Sequence, residues 1–164
     1  VLALKNPNFV NRLLIADIAP VKYEHDQSKF IEAMQKVDLS KVEKRSEAIA
    51  ALSNFVEDKS LQSFFTQSLD LKSKSWKLNL DILSSEMHEI LSFPKIDEKF
   101  SGQTLFFRGG KSEYIRAEHR AIINSLFTKA RFATLKDAGH WLHAEKPREF
   151  ENAARLFFTK QNSF

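Results

Sequence analysis

The sequence predicts an α/β fold in which a parallel sheet is interrupted by a long helical insertion. Short apolar segments at 12–17, 104–108 and 131–135 have the length and composition of buried strands. Segments with apolar residues three and four apart, the spacing of an amphipathic helix, separate the last two strands and follow them. Strands that alternate with helices are joined by right-handed crossovers, so the sheet is expected to be parallel.

The chain is expected to begin with the end of a helix at 1–5, which stops near Pro7. The first strand follows at 12–17, where consecutive apolar side chains suit burial on both faces of a sheet. Asp17 falls at the carboxyl end of this strand, and the chain leaves the sheet at Pro20. A carboxylate is thereby placed at the edge where α/β sheets bind their ligands.

Residues 21–93 carry a helical pattern with weak strand signals, and Pro94 ends it because a residue before proline is pushed out of the helical region. Apolar residues at this spacing usually form a core, and we interpret them so rather than as a groove for a lipid or a partner. The residues concerned are Phe30, Met34, Val37, Ile49, Leu52, Val56, Leu61, Phe64, Phe65, Leu69, Leu80, Leu83, Met87, Ile90 and Leu91.

After Gly102 the alternation of strand and helix resumes. A strand at 104–108 is followed by a helix at 116–130, a strand at 131–135 and a last helix that begins at Pro147, where proline is tolerated. The apolar residues expected to face inward are Ile122, Ile123, Leu126 and Phe127 in the first of these helices and Phe150, Ala154 and Phe157 in the second.

The composition of the 164 residues excludes several classes of function. The net charge of +4 comes from lysines and arginines scattered among acidic residues, so no nucleic-acid partner is expected. There is no cysteine, hence no disulfide, thiolate metal site or cysteine nucleophile. No apolar run approaches the roughly 20 residues that span a bilayer, and no membrane span is expected.

The most informative segment is 137–141, of sequence DAGHW, which places His140 on a turn between the last strand and the last helix. Asp17, the loop after Gly110 and His140 all follow predicted strands, whose carboxyl ends meet at one edge of a parallel sheet. An imidazole can take and return a proton near neutral pH, and a carboxylate can orient it. The alternative is a histidine that packs beside Trp141 or caps the last helix. We favour the catalytic role.

Two further questions about His140 are answered by the sequence. With His143 it could bind a metal, yet no third ligand completes a set, so no metal is expected. A serine nucleophile would need a Gly-x-Ser-x-Gly turn, and the four glycines of the chain form none. The sequence therefore predicts the acid–base half of a hydrolase without its nucleophile. The other histidines, expected at the surface, are His25, His88 and His119.

Several of these segments together resemble the α/β-hydrolases. The segments are 17–20 (DIAP) after the first strand, 105–112 (LFFRGGKS) and 138–147 (AGHWLHAEKP), and 76–81 (WKLNLD) in the insertion also fits. The resemblance is to the YbfF-like esterases of bacteria and their mitochondrial counterparts, and it covers essentially the whole chain. It implies the C-terminal portion of that fold only.

The resemblance also implies a division of the chain. Residues 1–20 would be hydrolase core, with the end of the nucleophile helix and the sixth strand, and 21–95 the helical lid. Residues 96–164 would complete the core with the seventh and eighth strands, flanking helices and the catalytic histidine. Because the chain begins with Val1 rather than methionine, we interpret it as starting inside a longer reading frame.

The function implied is a carboxylic ester or acyl-thioester hydrolase with a serine nucleophile and no cofactor. His140 would be the general base, Asp17 or Glu113 the triad acid, and Ser112 a residue that helps to hold the histidine. We favour Asp17 because a short carboxylate at a strand end orients an imidazole at a low cost in side-chain entropy, and Glu113 stays open.

The expected substrate is a small-molecule ester or thioester, and the expected partner is the missing N-terminal hydrolase segment that carries the nucleophile. The isolated chain is therefore predicted to be inactive. The expected compartment is the cytoplasm, or the mitochondrial matrix in a eukaryote. The alternative function is a truncated, non-catalytic hydrolase relative that serves as a structural or ligand-binding subunit.

Overall fold

The computed structural model describes residues 1–25 and 27–159. It divides the chain into two compact units, one formed by Val1–Val21 with Phe93–Phe164 and the other by Lys22–Ser92. The first unit contains the large sheet, and the second is mainly helical. The role of the helical unit as a lid stays a prediction.

The strands are β1 (Arg12–Ala16), β2 (Leu69–Asp70), β3 (Ser75–Trp76), β4 (Gln103–Gly109) and β5 (Ala130–Leu135). The helices are α1 (Leu2–Lys5), α2 (Ser28–Gln35), α3 (Arg45–Leu52), α4 (Lys59–Thr66), α5 (Leu80–Ser85), α6 (Met87–Ile90), α7 (Arg120–Leu126), α8 (Leu142–Glu145) and α9 (Pro147–Thr159). Short 3₁₀ turns lie at Pro7–Phe9, Leu39–Lys41 and Ala117–His119. Within the described ranges, no helix is both long and apolar enough to cross a membrane.

The three longer strands form one parallel sheet in the order β1-β4-β5, with β4 in the centre. In this sheet Ile15 of β1 lies beside Phe106 of β4, which lies beside Phe132 of β5. The predicted parallel sheet is therefore confirmed. All three carboxyl ends lie at the same edge, and the loops that hold Asp17 and His140 begin there.

Successive side chains of the central strand β4 point to opposite sides of the sheet, and this strand has buried side chains on both sides. Phe106 is fully buried in an apolar cluster that includes Phe100 and Phe127. The next residue, Phe107, belongs to a second cluster with Ala138 and Leu142, which lie on either side of His140 in sequence. Burying each phenylalanine contributes about 1.5–3 kcal/mol, so this packing holds the end of β4 firmly in place.

The helix predicted at 116–130 is shorter at both ends in the structure, since it is preceded by a 3₁₀ turn at Ala117–His119 and ends at Leu126. A 3₁₀ turn has three residues per turn instead of 3.6, which rotates the face that follows. Ile122, predicted to face inward, is 40% exposed, and His119, predicted at the surface, is buried. The Nδ1 atom of His119 accepts the backbone N–H of Arg116 at 3.3 Å. The inward prediction is right for Ile123, Leu126 and Phe127.

The last helix, α9, begins at Pro147 as predicted. Its predicted stripe, Phe150, Ala154 and Phe157, is only half-buried, and no residue among those described in α9 is fully buried. Phe150 stacks on Phe107 with ring centroids 5.7 Å apart. The predicted face of α9 is therefore right and its depth is wrong, since the helix lies on the outside of the unit.

The helical unit has an apolar core that comes largely from the predicted stripes. Leu52 and Ala48 are fully buried there, and the indole nitrogen of Trp76 donates to the carbonyl of Met34 at 3.0 Å. Two predicted core residues, Phe64 and Ile90, are instead 52% and 55% exposed. The buried members of the predicted stripes are Met34, Val37, Leu52, Val56, Leu69 and Leu80.

The insertion was predicted to be all helical, and the structure adds a short antiparallel hairpin, β2–β3. Its turn is built by Asp70, whose Oδ1 accepts the backbone N–H groups of Lys72 and Ser73 at 2.9 and 3.3 Å. Lys74 takes a left-handed conformation with a φ of 52°. Strands of two residues are too short to show an alternating pattern, which is why the sequence does not reveal them.

Candidate active site

The candidate site is formed by the loops that leave the three parallel strands. Directly after β1, Asp17 adopts a left-handed φ of 50°, while its N–H donates to the carbonyl of Phe107 at 2.9 Å. After β5, Asp137 has a φ of 63° and turns the chain toward His140. Asp is one of the few non-glycine residues that tolerate this conformation, and such residues cluster at functional sites. Both turns therefore carry a residue type that tolerates the conformation found there.

Glycine at position 109 lets two of these loops approach each other closely. A Cβ atom on Gly109 would lie 2.0 Å from the carbonyl oxygen of Gly139 and 2.7 Å from that of Ala138. Beside this contact, the N–H of Lys111 donates to the carbonyl of Ala138 at 2.9 Å, and that of Gly110 to a carbonyl of β5 at 2.9 Å. The His140 loop is thereby held against the end of β4.

Within this arrangement, His140 Nδ1 lies 2.9 Å from Asp17 Oδ2. The Asp17 side chain is fully buried, whereas that of His140 is 39% exposed. An ionised carboxylate only accepts hydrogen bonds, so with Asp17 ionised the proton lies on Nδ1 and Nε2 is left as the basic nitrogen. This is the orientation that a general base needs.

The buried carboxylate of Asp17 has other donors besides the imidazole. The N–H of Gly109 donates to Oδ1 at 3.0 Å, and the hydroxyl of Ser112 donates to Oδ2. Ser112 is itself buried and accepts the N–H of Tyr114 at 3.2 Å. Burying a carboxylate is costly unless donors surround it, and these groups supply them. Ser112 thus contacts the same carboxylate oxygen, Oδ2, that His140 contacts.

Glu113, the alternative acid, is exposed at the surface. In the described part of the chain, no hydrogen bond or ion pair joins it to His140. The structure therefore brings together His140, Asp17 and Ser112, and it leaves Glu113 outside the group. Which carboxylate acts as the triad acid stays a prediction, and this geometry favours Asp17.

Two residues that the sequence reasoning missed also contact the histidine or its loop. The ring of Tyr114 stacks on that of His140, with centroids 3.8 Å apart and planes 16° apart. The carboxylate of Glu145 accepts the N–H groups of Gly139 and Trp141 at 2.8 and 3.3 Å. No sequence signal pointed to the stacking, which depends on tertiary structure. Glu145 lies four residues after Trp141, and this helical spacing could have revealed it.

His143, considered with His140 as a metal ligand, contacts Phe150 edge-on, with ring centroids 6.1 Å apart. Across residues 1–25 and 27–159, no group of three histidine or acidic side chains could hold a metal ion.

Known proteins similar to this chain share both its sequence pattern and its fold. It is 36% identical over 164 residues to mouse "sn-1-specific diacylglycerol lipase ABHD11", covering 95% of the chain and 53% of that protein. It is 29% identical over 151 residues to "Esterase YbfF" of Escherichia coli, covering 90% and 58%. A solved structure, "Marine microorganism esterase", matches with a TM-score of 0.88 and 30% identity, covering 94% and 63%. No protein-family model matches the chain.

The parallel sheet, its flanking helices and these matches define the C-terminal part of an α/β-hydrolase fold. The predicted resemblance to YbfF-like esterases is confirmed, since relatives of bacterial and animal origin are esterases and lipases of this type. The chain spans about half the length of the curated relatives it matches.

Proposed function

We propose that the protein is a carboxylic ester or acyl-thioester hydrolase that works through a serine nucleophile, with His140 as general base and Asp17 as the orienting acid. The observation that carries the proposal is the 2.9 Å contact between His140 Nδ1 and the buried carboxylate of Asp17. The names of the relatives, which include an esterase and a diacylglycerol lipase, support ester chemistry.

In the proposed reaction, His140 Nε2 takes the proton of the serine hydroxyl as its oxygen attacks the substrate carbonyl. The imidazolium then gives this proton to the departing alcohol or thiol, and an acyl-enzyme remains. A water molecule attacks the acyl group while Nε2 accepts its proton, and the acid is released as the proton returns to the serine. The Asp17 carboxylate stabilises the imidazolium in both halves of the cycle.

We further propose that the serine belongs to a hydrolase segment outside this sequence. No Gly-x-Ser-x-Gly turn occurs among the 164 residues. Edge strand β1 supports the same idea, because within the described residues it pairs with β4 alone. An edge strand presents unpaired N–H and C=O groups, to which a further strand can add. By itself, this chain is expected to hydrolyse no ester.

The test joins this chain to a hydrolase segment that supplies the serine and measures hydrolysis of p-nitrophenyl butyrate. His140→Ala should lower kcat by about 10⁴-fold or more, because the serine loses its base. His143→Ala, in the adjacent helix α8, is the matched control and should retain most of the activity. Measurement of the thioester S-butyrylthiocholine in parallel distinguishes the two substrate classes.

Two results would contradict the proposal. One is a joined, folded protein that is inert toward both substrates, which would favour the non-catalytic alternative. The other is a His140→Ala variant that keeps the wild-type rate.

A further inference from the structure

We propose that Glu145 is a positioning residue for His140 and acts by holding the main chain on both sides of the histidine. This inference deepens the proposed function and rests on His140 being the general base. The carboxylate lies five residues after the histidine, in the last position of α8. No sequence-based prediction gave it a role, although it lies in the segment 138–147 that resembles the α/β-hydrolases.

The geometry of the contact is specific to the two peptides that flank His140. Oε2 of Glu145 accepts the N–H of Gly139 at 2.8 Å, and Oε1 accepts the N–H of Trp141 at 3.3 Å. The backbone closes the same loop, because the N–H of Glu145 donates to the carbonyl of Trp141 at 2.8 Å. One side chain thus fixes the residue before the histidine and the residue after it.

The fit between Glu145 and the loop depends on Gly139. A Cβ atom there would lie 2.9 Å from Oε1 and 3.4 Å from Oε2 of Glu145. Glycine therefore leaves the space that the carboxylate occupies. Glu145 is exposed to solvent. Its hydrogen bonds can still hold the loop in place, because those from N–H groups to a carboxylate are stronger than those between neutral groups.

His140 needs such support because its side chain is only partly enclosed. Its ring is 39% exposed, and its one hydrogen bond with a side chain in the described residues is at Nδ1. Besides the contacts of the ring with Asp17 and Tyr114, the position of Nε2 depends on where the main chain holds the Cα atom. A displacement of about 1 Å at a reacting group can cost about 10²-fold in rate.

The first experiment uses the chain as it is and needs no activity. Glu145→Ala should speed hydrogen exchange at the amides of Gly139 and Trp141 by about tenfold and should broaden or shift the ring signals of His140. Glu145→Gln, which keeps one accepting oxygen, should have a smaller effect and protects the test if Glu145→Ala does not fold. The matched control is Glu149→Ala, an exposed acidic residue in the first turn of α9.

The second experiment measures steady-state kinetics in the protein that carries the serine. Glu145→Ala should lower kcat by about 10- to 100-fold with little change in KM, since substrate contacts are not altered. Unchanged amide exchange and unchanged His140 signals relative to Glu149→Ala would overturn the inference, as would an unchanged kcat. If the parent protein hydrolyses no ester, the proposed function fails, and the exchange measurement still decides the role of Glu145.

Discussion

The two units of this chain are built on different physical requirements. The first region is the rim of the sheet, meaning the edge where its strands end and the loops with Asp17 and His140 begin. Here the absence of a side chain at Gly109 lets two loops approach closely, and hydrogen-bond donors surround the buried carboxylate of Asp17. The helical unit depends on apolar atoms that fill its core, such as the fully buried side chain of Leu52. Adding atoms should therefore damage the first region, and removing atoms should damage the second.

The largest loss of activity is expected when the charge of the Asp17 carboxylate is removed. Asp17→Asn should lower kcat by about 10⁴-fold in the serine-bearing protein, because an amide cannot hold the imidazole in the productive tautomer. Glu113→Gln tests the other candidate acid in the same assay and should have little effect. A larger loss for Glu113→Gln than for Asp17→Asn would reverse the assignment and weaken the contrast between the two regions.

In the helical unit, Leu52→Ala should lower the free energy of unfolding by about 3 kcal/mol, because it leaves a cavity among fully buried neighbours. Ile82→Ala is the matched control, since Ile82 is 57% exposed in the same unit. Denaturant titration followed by circular dichroism measures both. Equal effects of the two substitutions would show that this unit is not organised around its apolar core.

At the rim, a single added methyl group should be enough to cause damage. Gly109→Ala should lower the free energy of unfolding by about 2 kcal/mol, because the new Cβ meets backbone oxygens that cannot move aside without shifting the His140 loop. Gly110→Ala adds the same group where the nearest atom is 3.3 Å away and should cost less. If the two variants are equally stable, the close approach of the loops is not a constraint.

The smallest effect on stability is expected from a substitution of Glu47, at the start of α3 on the surface of the helical unit. The N–H groups of Glu43 and Lys44 donate to the Glu47 carboxylate and hold its pKa below its usual range. A carboxyl group whose pKa is lower in the folded state than in the unfolded state stabilises the fold at pH values above its unfolded-state pKa. This contribution is lost as the pH falls through its folded-state pKa. The stability difference between wild type and Glu47→Gln should therefore shrink in acid. A difference independent of pH would contradict this origin.

Much of the sheet could be predicted because its strands are short apolar segments and its topology follows from their alternation with helices. Asp17 and His140 are 123 residues apart, yet both follow such strands, and parallel strands end at one edge. The register of α7 could not be predicted, because a 3₁₀ turn before it shifts the face that Ile122 and His119 present. Local geometry of this kind leaves no clear periodic signal.

That Asp17 and His140 lie close together could be predicted from the sequence, and the contacts that surround them could be predicted less well. Glu113 and Asp17 both follow strands, and the sequence favours Asp17 only through its shorter side chain. The three-dimensional packing of Gly109 and Ser112 around Asp17 separates the two more clearly. The stacking of Tyr114 on the imidazole is also a property of the folded chain. Sequence patterns locate residues at the edge of a sheet, whereas the choice among them depends on burial and on hydrogen-bond partners.

The central claim is that the imidazole of residue 140 is bound to the carboxylate of residue 17, and proton NMR of the chain labelled with ¹⁵N-histidine tests it most directly. We expect a strongly downfield Nδ1 proton for His140 that disappears in Asp17→Asn and persists in Glu113→Gln. A spectrum in which Asp17→Asn leaves the His140 signals unchanged would contradict the claim.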